Sequence, residues 1–205
     1  MMKLYGHVNR LAANTMKLRA ALAELGAPYE YVTVDLAGGE QRHPDFLALN
    51  PHGKVPVLVD GGFALAESDA ILWYLAEKFP AAGLLPDDLR GRAVVHQWCD
   101  FASHGMYTPA YQHFLFANGP DATRHVPWFA EQLRAAIDRA LGVLETRFAT
   151  HEFVADALSI ADFGVTSALE LMRQRTPYDA AKFPHLAAYH ARFTARPSWA
   201  EASQP

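Results

Sequence analysis

The residue types best suited to hold a small charged ligand are gathered in residues 50–68, which read NPHGKVPVLVDGGFALAES. Asn50, Pro51 and Gly53 are turn formers and mark a loop that runs to Lys54. Val55 to Val59 read as a strand, Asp60-Gly61-Gly62 as a tight reversal, and Phe63 to Leu65 as the returning strand. Ser68 then suits the N-cap of a helix, with Asp69 in its first turn. Free N–H groups at such a helix start attract a carboxylate, and Glu67 beside it suits an ammonium group. Pro56 is tolerated at a strand start, and a cis Val55-Pro56 bond would turn Val55 outward to offer its N–H and C=O to an extended peptide. A carboxylate, an ammonium group and a peptide unit are together the groups of a small γ-glutamyl peptide. On residue types alone, the stretch equally fits an ordinary hairpin closing onto a capped helix.

NPHGKVPVL followed by ALAESDAILWYL resembles the glutathione-site signature of the soluble glutathione transferases, in a bacterial-like form. The resemblance implies that Pro56 is cis and that Val55 pairs with the cysteinyl unit of glutathione. It implies that Glu67 and Ser68 hold the γ-glutamyl end and that Lys54 belongs to the same site. Glutathione is then a co-substrate, added to an apolar electrophile or used to reduce peroxides or disulfides. A cytoplasmic homodimer with a role in detoxification follows from the same likeness. A non-catalytic ligand-binding protein or an interaction module of the same fold is the alternative.

Such chemistry needs a glutathione thiolate. A thiol with a pKa of about 8.5 is only a few per cent ionised at neutral pH, and lowering it to about 6.5–7 takes roughly 2–2.7 kcal/mol. One hydrogen bond to the charged sulfur, at about 1.5–3 kcal/mol, is on that scale. In serine-type relatives the hydroxyl lies six residues before the centre of a Lys-Val-Arg triplet. Counted back from Leu18 of Lys17-Leu18-Arg19, that slot holds Ala12, and a methyl group cannot donate. Asn14 and Thr15 are the nearest donors. Asn14 matches the Asn of the S-x-N and T-x-N motifs of bacterial and fungal relatives, and as N-cap it would accept a helix N–H while its NH₂ faces the sulfur. Thr15 is the second candidate, and both residues also fit plain capping. Tyr5, in an alternating strand, is expected in the core.

His104, Tyr107 and Tyr111 combine apolar bodies with polar tips on a helix interrupted by Gly105 and Pro109. The equivalent helix in the family lines the acceptor pocket, so these three are expected to form its wall. The single cysteine, Cys99, lies among Val94, Val95 and Trp98 and is expected to be buried and inert. That speaks against glutaredoxin-like chemistry, and one cysteine excludes an internal disulfide. The ten histidines show no ligand spacing, and the His96/Asp100 pair reads as a solvated helix face, so no metal is expected.

The elements that must position these groups follow from pattern. The start of the sequence, Met1 to Gly6, goes straight into a strand, and no signal peptide is expected. Residues 3–5, a loop over 7–14, a helix over 15–25 stopped by Gly26 and Pro28, and a strand over 29–34 give β-α-β. One helical turn around 44–48, the hairpin and a helix over 68–79 complete a thioredoxin-like domain over residues 1–80. Residues 81–89 read as a linker rich in Pro and Gly, and 90–205 as an all-helical domain with helices over 90–118, 127–149, 159–175 and 184–195. Ser159 with Asp162 at N3 reads as a shortened capping box, resembling the family's S/T-x-x-D folding motif. Phe153-Val154-Ala155-Asp156 lacks the Gly usual before that Asp. Phe183-Pro184-His185-Leu186, Arg192 and Arg196-Pro197 extend the likeness across nearly the whole chain. With 205 residues, 51% hydrophobic and 20% charged, and a net charge of −4 without a basic run, a nucleic-acid surface is not expected. No apolar run approaches a membrane span.

Overall fold

The computed structural model describes residues 1–9 and 12–204. They divide into two compact units, Met1–Gly83 together with the segment from Arg196 onward, and Leu84–Ala195. The division falls within the anticipated linker. The segment from Arg196, expected in the helical domain, groups with the first unit, for reasons of packing given below.

The first unit runs β1 (Met2–His7), α1 (Ala13–Glu24), β2 (Tyr29–Val34), α2 (Pro44–Leu49), β3 (Val57–Asp60), β4 (Phe63–Ala66) and α3 (Ser68–Lys78). The four strands form one sheet in the order β2-β1-β3-β4, with β1 and β2 parallel and the other pairs antiparallel. Tyr5 stands opposite Val32 on one side and Val57 on the other. It packs edge-on against Phe46 of α2, with ring centroids 6.3 Å apart, beside a small core of Val34, Phe46 and Val57. Tyr5 therefore has the packing role expected of it. At Gly6 the strand has no room for a side chain: a Cβ there would meet the Tyr31 hydroxyl and lie 2.7 Å from Thr15 Cγ2. Tyr31 uses that hydroxyl to donate to the His7 carbonyl at 2.7 Å.

α1 is buried nearly all round, including Thr15, Lys17 and Arg19, rather than on a single apolar side. The reason is α9 (Pro197–Ala202), a helix not anticipated from the sequence, which covers it. Trp199 is 2% exposed. Arg19 donates to the carbonyls of Ala202 and Gln204 at 2.8 and 3.1 Å, while Arg196 and Ser198 both hydrogen-bond to Glu24. Burying so much of α1 requires these later residues, which accounts for their grouping with the first unit.

The second unit consists of α4 (Leu89–Asp100), a π-helical segment (Phe101–Tyr107), α5 (Thr108–Ala117), α6 (Pro127–Phe148), α7 (Ile160–Arg175) and α8 (Pro184–Thr194). The break expected at Pro109 is thus a π turn immediately before it. Pro109 has no N–H for the carbonyl four residues back, and its ring would crowd that carbonyl; the wider turn absorbs the conflict. α7 is buried continuously from Ile160 to Met172. Its capping box is present, and Asp162 also accepts from Val154 N–H at 2.9 Å and from the Tyr189 hydroxyl at 3.2 Å. Asp162 therefore ties the entry loop, the start of α7 and α8 to one carboxylate.

Candidate active site

The sheet register brings the two halves of the 50–68 stretch together. Val57 pairs with Ala66, so Val55 and Pro56, just before β3, lie alongside Glu67, just after β4. The Val55-Pro56 bond is cis. Pro56 is buried, Val55 half-buried and Lys54 exposed, and Val55 lies outside the sheet pairing, which begins at Val57. Asn50 holds the loop in shape. It is 2% exposed, its Nδ2 donates to the Lys54 carbonyl at 2.7 Å, and its Oδ1 accepts from His52 N–H at 3.0 Å. A turn-forming Asn was visible in the sequence, but its grip on the Lys54 carbonyl was not.

Ser68 is not the N-cap of α3. Glu67 occupies that position, and its carbonyl accepts the first helical bond from Ile71 N–H at 2.9 Å. The chain leaves β4 at Ala66 and must turn at once into the helix. Glu67 makes that turn with φ of 65°, the only positive φ at a non-glycine among the described residues. Such a conformation costs about 1–3 kcal/mol and is typical of ligand clamps. Neither Glu67 nor any other N-cap side chain closes the end of α3, and Ser68 is half-buried in its first turn.

α1 shows the same opening. Its N-cap is Ala12, whose carbonyl accepts from both Thr15 and Met16 N–H at 2.9 Å, without any side-chain cap. The helix therefore begins two residues earlier than the spacing suggested, and Asn14 is in its first turn rather than at the N-cap. The loop expected over 7–14 includes Arg10 and Leu11, which lie outside the described residues. Asn14 is half-buried, and its amide makes no hydrogen bond among the described residues. Thr15 is 1% exposed, with its methyl against Gly6. An ion pair missed from the sequence links the two helix starts: Lys17 Nζ of α1 lies 2.5 Å from Asp69 Oδ1 of α3. A lysine inside an apolar helix pattern was its only signal.

The first unit also contains a cavity of about 830 Å³, lined among others by Tyr5, Val32, Val34, Arg42, Phe46 and Leu49. None of Asn14, Lys54, Val55, Glu67 or Ser68 lines it. In the second unit, His104 is exposed on the π turn, with Nδ1 3.3 Å from the Asp100 carbonyl. Tyr107 ends that turn, and burial, aided by the neighbouring Tyr111, pushes its hydroxyl up to about 12. Tyr111, one turn on, is 46% exposed. Cys99 is buried. His96 Nδ1 and Asp100 Oδ2 are 3.4 Å apart on an exposed face. Among the described residues, no group of His, Cys, Asp or Glu could hold a metal ion, and no helix is long and apolar enough to cross a membrane.

The profile of the "Glutathione S-transferase, N-terminal domain" family matches residues 1–77, and that of the "Glutathione S-transferase, C-terminal domain" family matches residues 127–192. The chain is 36% identical to glutathione S-transferase 3 of Zea mays, covering 97% of this chain and 91% of that protein. It is 33% identical to a zeta-class glutathione S-transferase of Euphorbia esula, covering 98% and 89%. The chain belongs to the glutathione S-transferase family. Among solved structures, this transferase resembles the glutathione transferase URE2P6 of Phanerochaete chrysosporium in complex with oxidized glutathione. The TM-score is 0.87 at 29% identity, with 98% of this chain and 94% of that one covered. Both the thioredoxin-like first domain and the helical second domain of the family are present. The two profile matches leave out residues 78–126, which carry α4, the π turn and α5. His104, Tyr107 and Tyr111 of this transferase thus stand in the part that is not matched.

Proposed function

We propose that this transferase binds glutathione on its first unit, holds the sulfur as a thiolate and adds it to an apolar electrophile. The observation that carries the reading is the placement of Val55 and Pro56 beside Glu67 by the β3–β4 register, next to two helix starts that lack side-chain caps. The γ-glutamyl carboxylate docks on the first turn of α3 at Ser68, where backbone N–H groups and the helix dipole favour an anion. Glu67 takes the adjacent ammonium group, and Lys54 supplies a cation for the remaining carboxylate. The unpaired backbone of Val55 bonds the cysteinyl unit as a further strand would.

The sulfur then lies at the start of α1. Ala12 offers it no hydroxyl, and Thr15 is turned into the core against Gly6. Asn14 is the donor in this reading, since its amide is half-exposed and uncommitted. An N–H bond to the thiolate, strengthened by the helix dipole, supplies the few kcal/mol that ionisation needs. The thiolate attacks the electrophilic carbon and the leaving group departs, or it attacks a peroxide or disulfide and is itself oxidised. An amide is a weaker thiolate partner than a tuned hydroxyl, which favours the second type of substrate. His104, Tyr107 and Tyr111 of the second unit are the acceptor-pocket residues of this reading, and burial keeps the Tyr107 hydroxyl protonated throughout the neutral range. Active as a homodimer in the cytoplasm, the protein works in detoxification.

Retention on immobilised glutathione tests binding. A panel of aryl halides, epoxides, hydroperoxides and mixed disulfides, assayed with glutathione, tests catalysis and ranks the two chemistries. Retention with no turnover on any of them would leave a glutathione-binding protein without transferase activity.

A further inference from the structure

The ion pair between Lys17 and Asp69 serves no step of that mechanism, yet it stands between its two helix starts. Lys17 Nζ is 2.5 Å from Asp69 Oδ1, and the two side chains are 4% and 30% exposed. Asp69 directly follows Ser68 in the first turn of α3. A carboxylate in that turn interacts favourably with the helix dipole. It also repels any second anion that docks there, at a separation of about one turn, roughly 5 Å. Asp69 would thus compete with the γ-glutamyl carboxylate for the same electrostatic site.

For stability alone, a buried lysine is a poor choice. A pair of well-packed apolar side chains in place of both members of a buried ion pair is often as stable or more so. An apolar side chain cannot cancel the charge of Asp69. We infer that Lys17 is a positioning residue for glutathione: it draws the Asp69 carboxylate toward α1 and neutralises it, leaving the start of α3 to the γ-glutamyl carboxylate. This rests on the glutathione site proposed above. It predicts that binding follows the sign of the charge left behind, whereas a mechanical strut between helices would be damaged by either substitution.

The test is calorimetric titration of glutathione into wild type, Lys17→Met, Asp69→Asn and the double variant, with kcat measured at saturating glutathione. Lys17→Met should raise the Kd for glutathione about tenfold or more, the effect of one bared like charge at that distance, with kcat essentially unchanged. Asp69→Asn should bind as tightly as wild type or more tightly. The double variant should recover to within about threefold of wild type, since no net charge is then left. A double variant as weak as Lys17→Met, or a Lys17→Met variant that binds normally, overturns the inference. Thermal melts report whether Lys17→Met folds; if it does not, Asp69→Asn decides, and weakened binding there counts against the proposal. Wild type that fails to bind glutathione would instead overturn the site itself, an outcome separate from any pattern among the variants.

Discussion

Asn14 and Thr15 are adjacent in sequence but have different environments, and this separates their expected effects. Asn14→Ala should raise the pKa of the bound glutathione thiol by about one to two units, the equivalent of one lost charge-assisted hydrogen bond. Ultraviolet titration of the thiolate band reads this directly. Thr15→Ala should leave the titration unchanged and lower stability, because its side chain is packed rather than presented. Equal titration curves for all three proteins would move the donor role to the backbone. Asp162 is the second residue with a sharp expectation. As a cap alone it would be worth about 0.5–2 kcal/mol. Fully buried and accepting from Val154, Ser159 and Tyr189, its loss should cost about 3–5 kcal/mol in Asp162→Ala by urea unfolding, since several donors are orphaned together. Burial raises its carboxyl to about 6 against the opposition of those hydrogen bonds. The native state then holds this proton more tightly than the unfolded chain, so its contribution is complete below about pH 4 and is lost as pH rises through 6. Glu170 has the opposite sign: burial raises it, but His190 and Arg173 outweigh burial and hold it at about 2. Its contribution is present above about pH 4.5 and fades as pH falls toward 2. Between pH 4.5 and 6, then, wild type should lose stability relative to Asp162→Asn as pH rises, and a constant difference between them would refute the raised carboxyl. The cis Val55-Pro56 bond was legible because a local motif dictates its backbone surroundings. The Lys17–Asp69 pair was not, since only tertiary structure brings positions 17 and 69 together.

Strand β2 lies where alternation placed it, over 29–34, and α6, α7 and α8 lie within a residue of their expected limits. Those elements are set by periodicity, by prolines at the starts of α6 and α8 and by the Ser159/Asp162 capping box of α7. Helix starts without a side-chain cap were read less well. At α1 the first bonds go to the Ala12 carbonyl, which no side chain announces, and at α3 the cap is a strained Glu67 rather than the Ser68 that propensity favours. The π turn was equally hidden, because its seven residues continue an apolar helical pattern until Pro109. Close approach of elements shows most clearly at Gly6, where β1, Tyr31 and α1 meet. Gly6→Ala should cost about 3 kcal/mol through displacement of Tyr31 and Thr15, the upper part of the usual overpacking range. Circular dichroism during urea unfolding measures it, and a neutral substitution would show that β1 and α1 can part without penalty.

Across the whole molecule, the two-domain plan was legible, but the extent of its first unit was not. Sequence order assigns everything after the linker to the helical domain, whereas packing assigns the segment from Arg196 to the first unit. Trp199→Ala should therefore destabilise the first unit by about 3–5 kcal/mol, the usual cost of a buried aromatic. Hydrogen exchange should show the lost protection in α1. Protection lost only within Leu84–Ala195 would contradict this packing. The return of Arg196–Trp199 to Glu24 and α1 also has a consequence for biosynthesis. On the ribosome, β1 and α1 emerge before Leu84–Ala195, yet the residues that cover α1 emerge only after all of that segment has been made. The first unit thus waits through the synthesis of Leu84–Ala195 with one side of α1 bare, and a helix made before that segment is completed only after it.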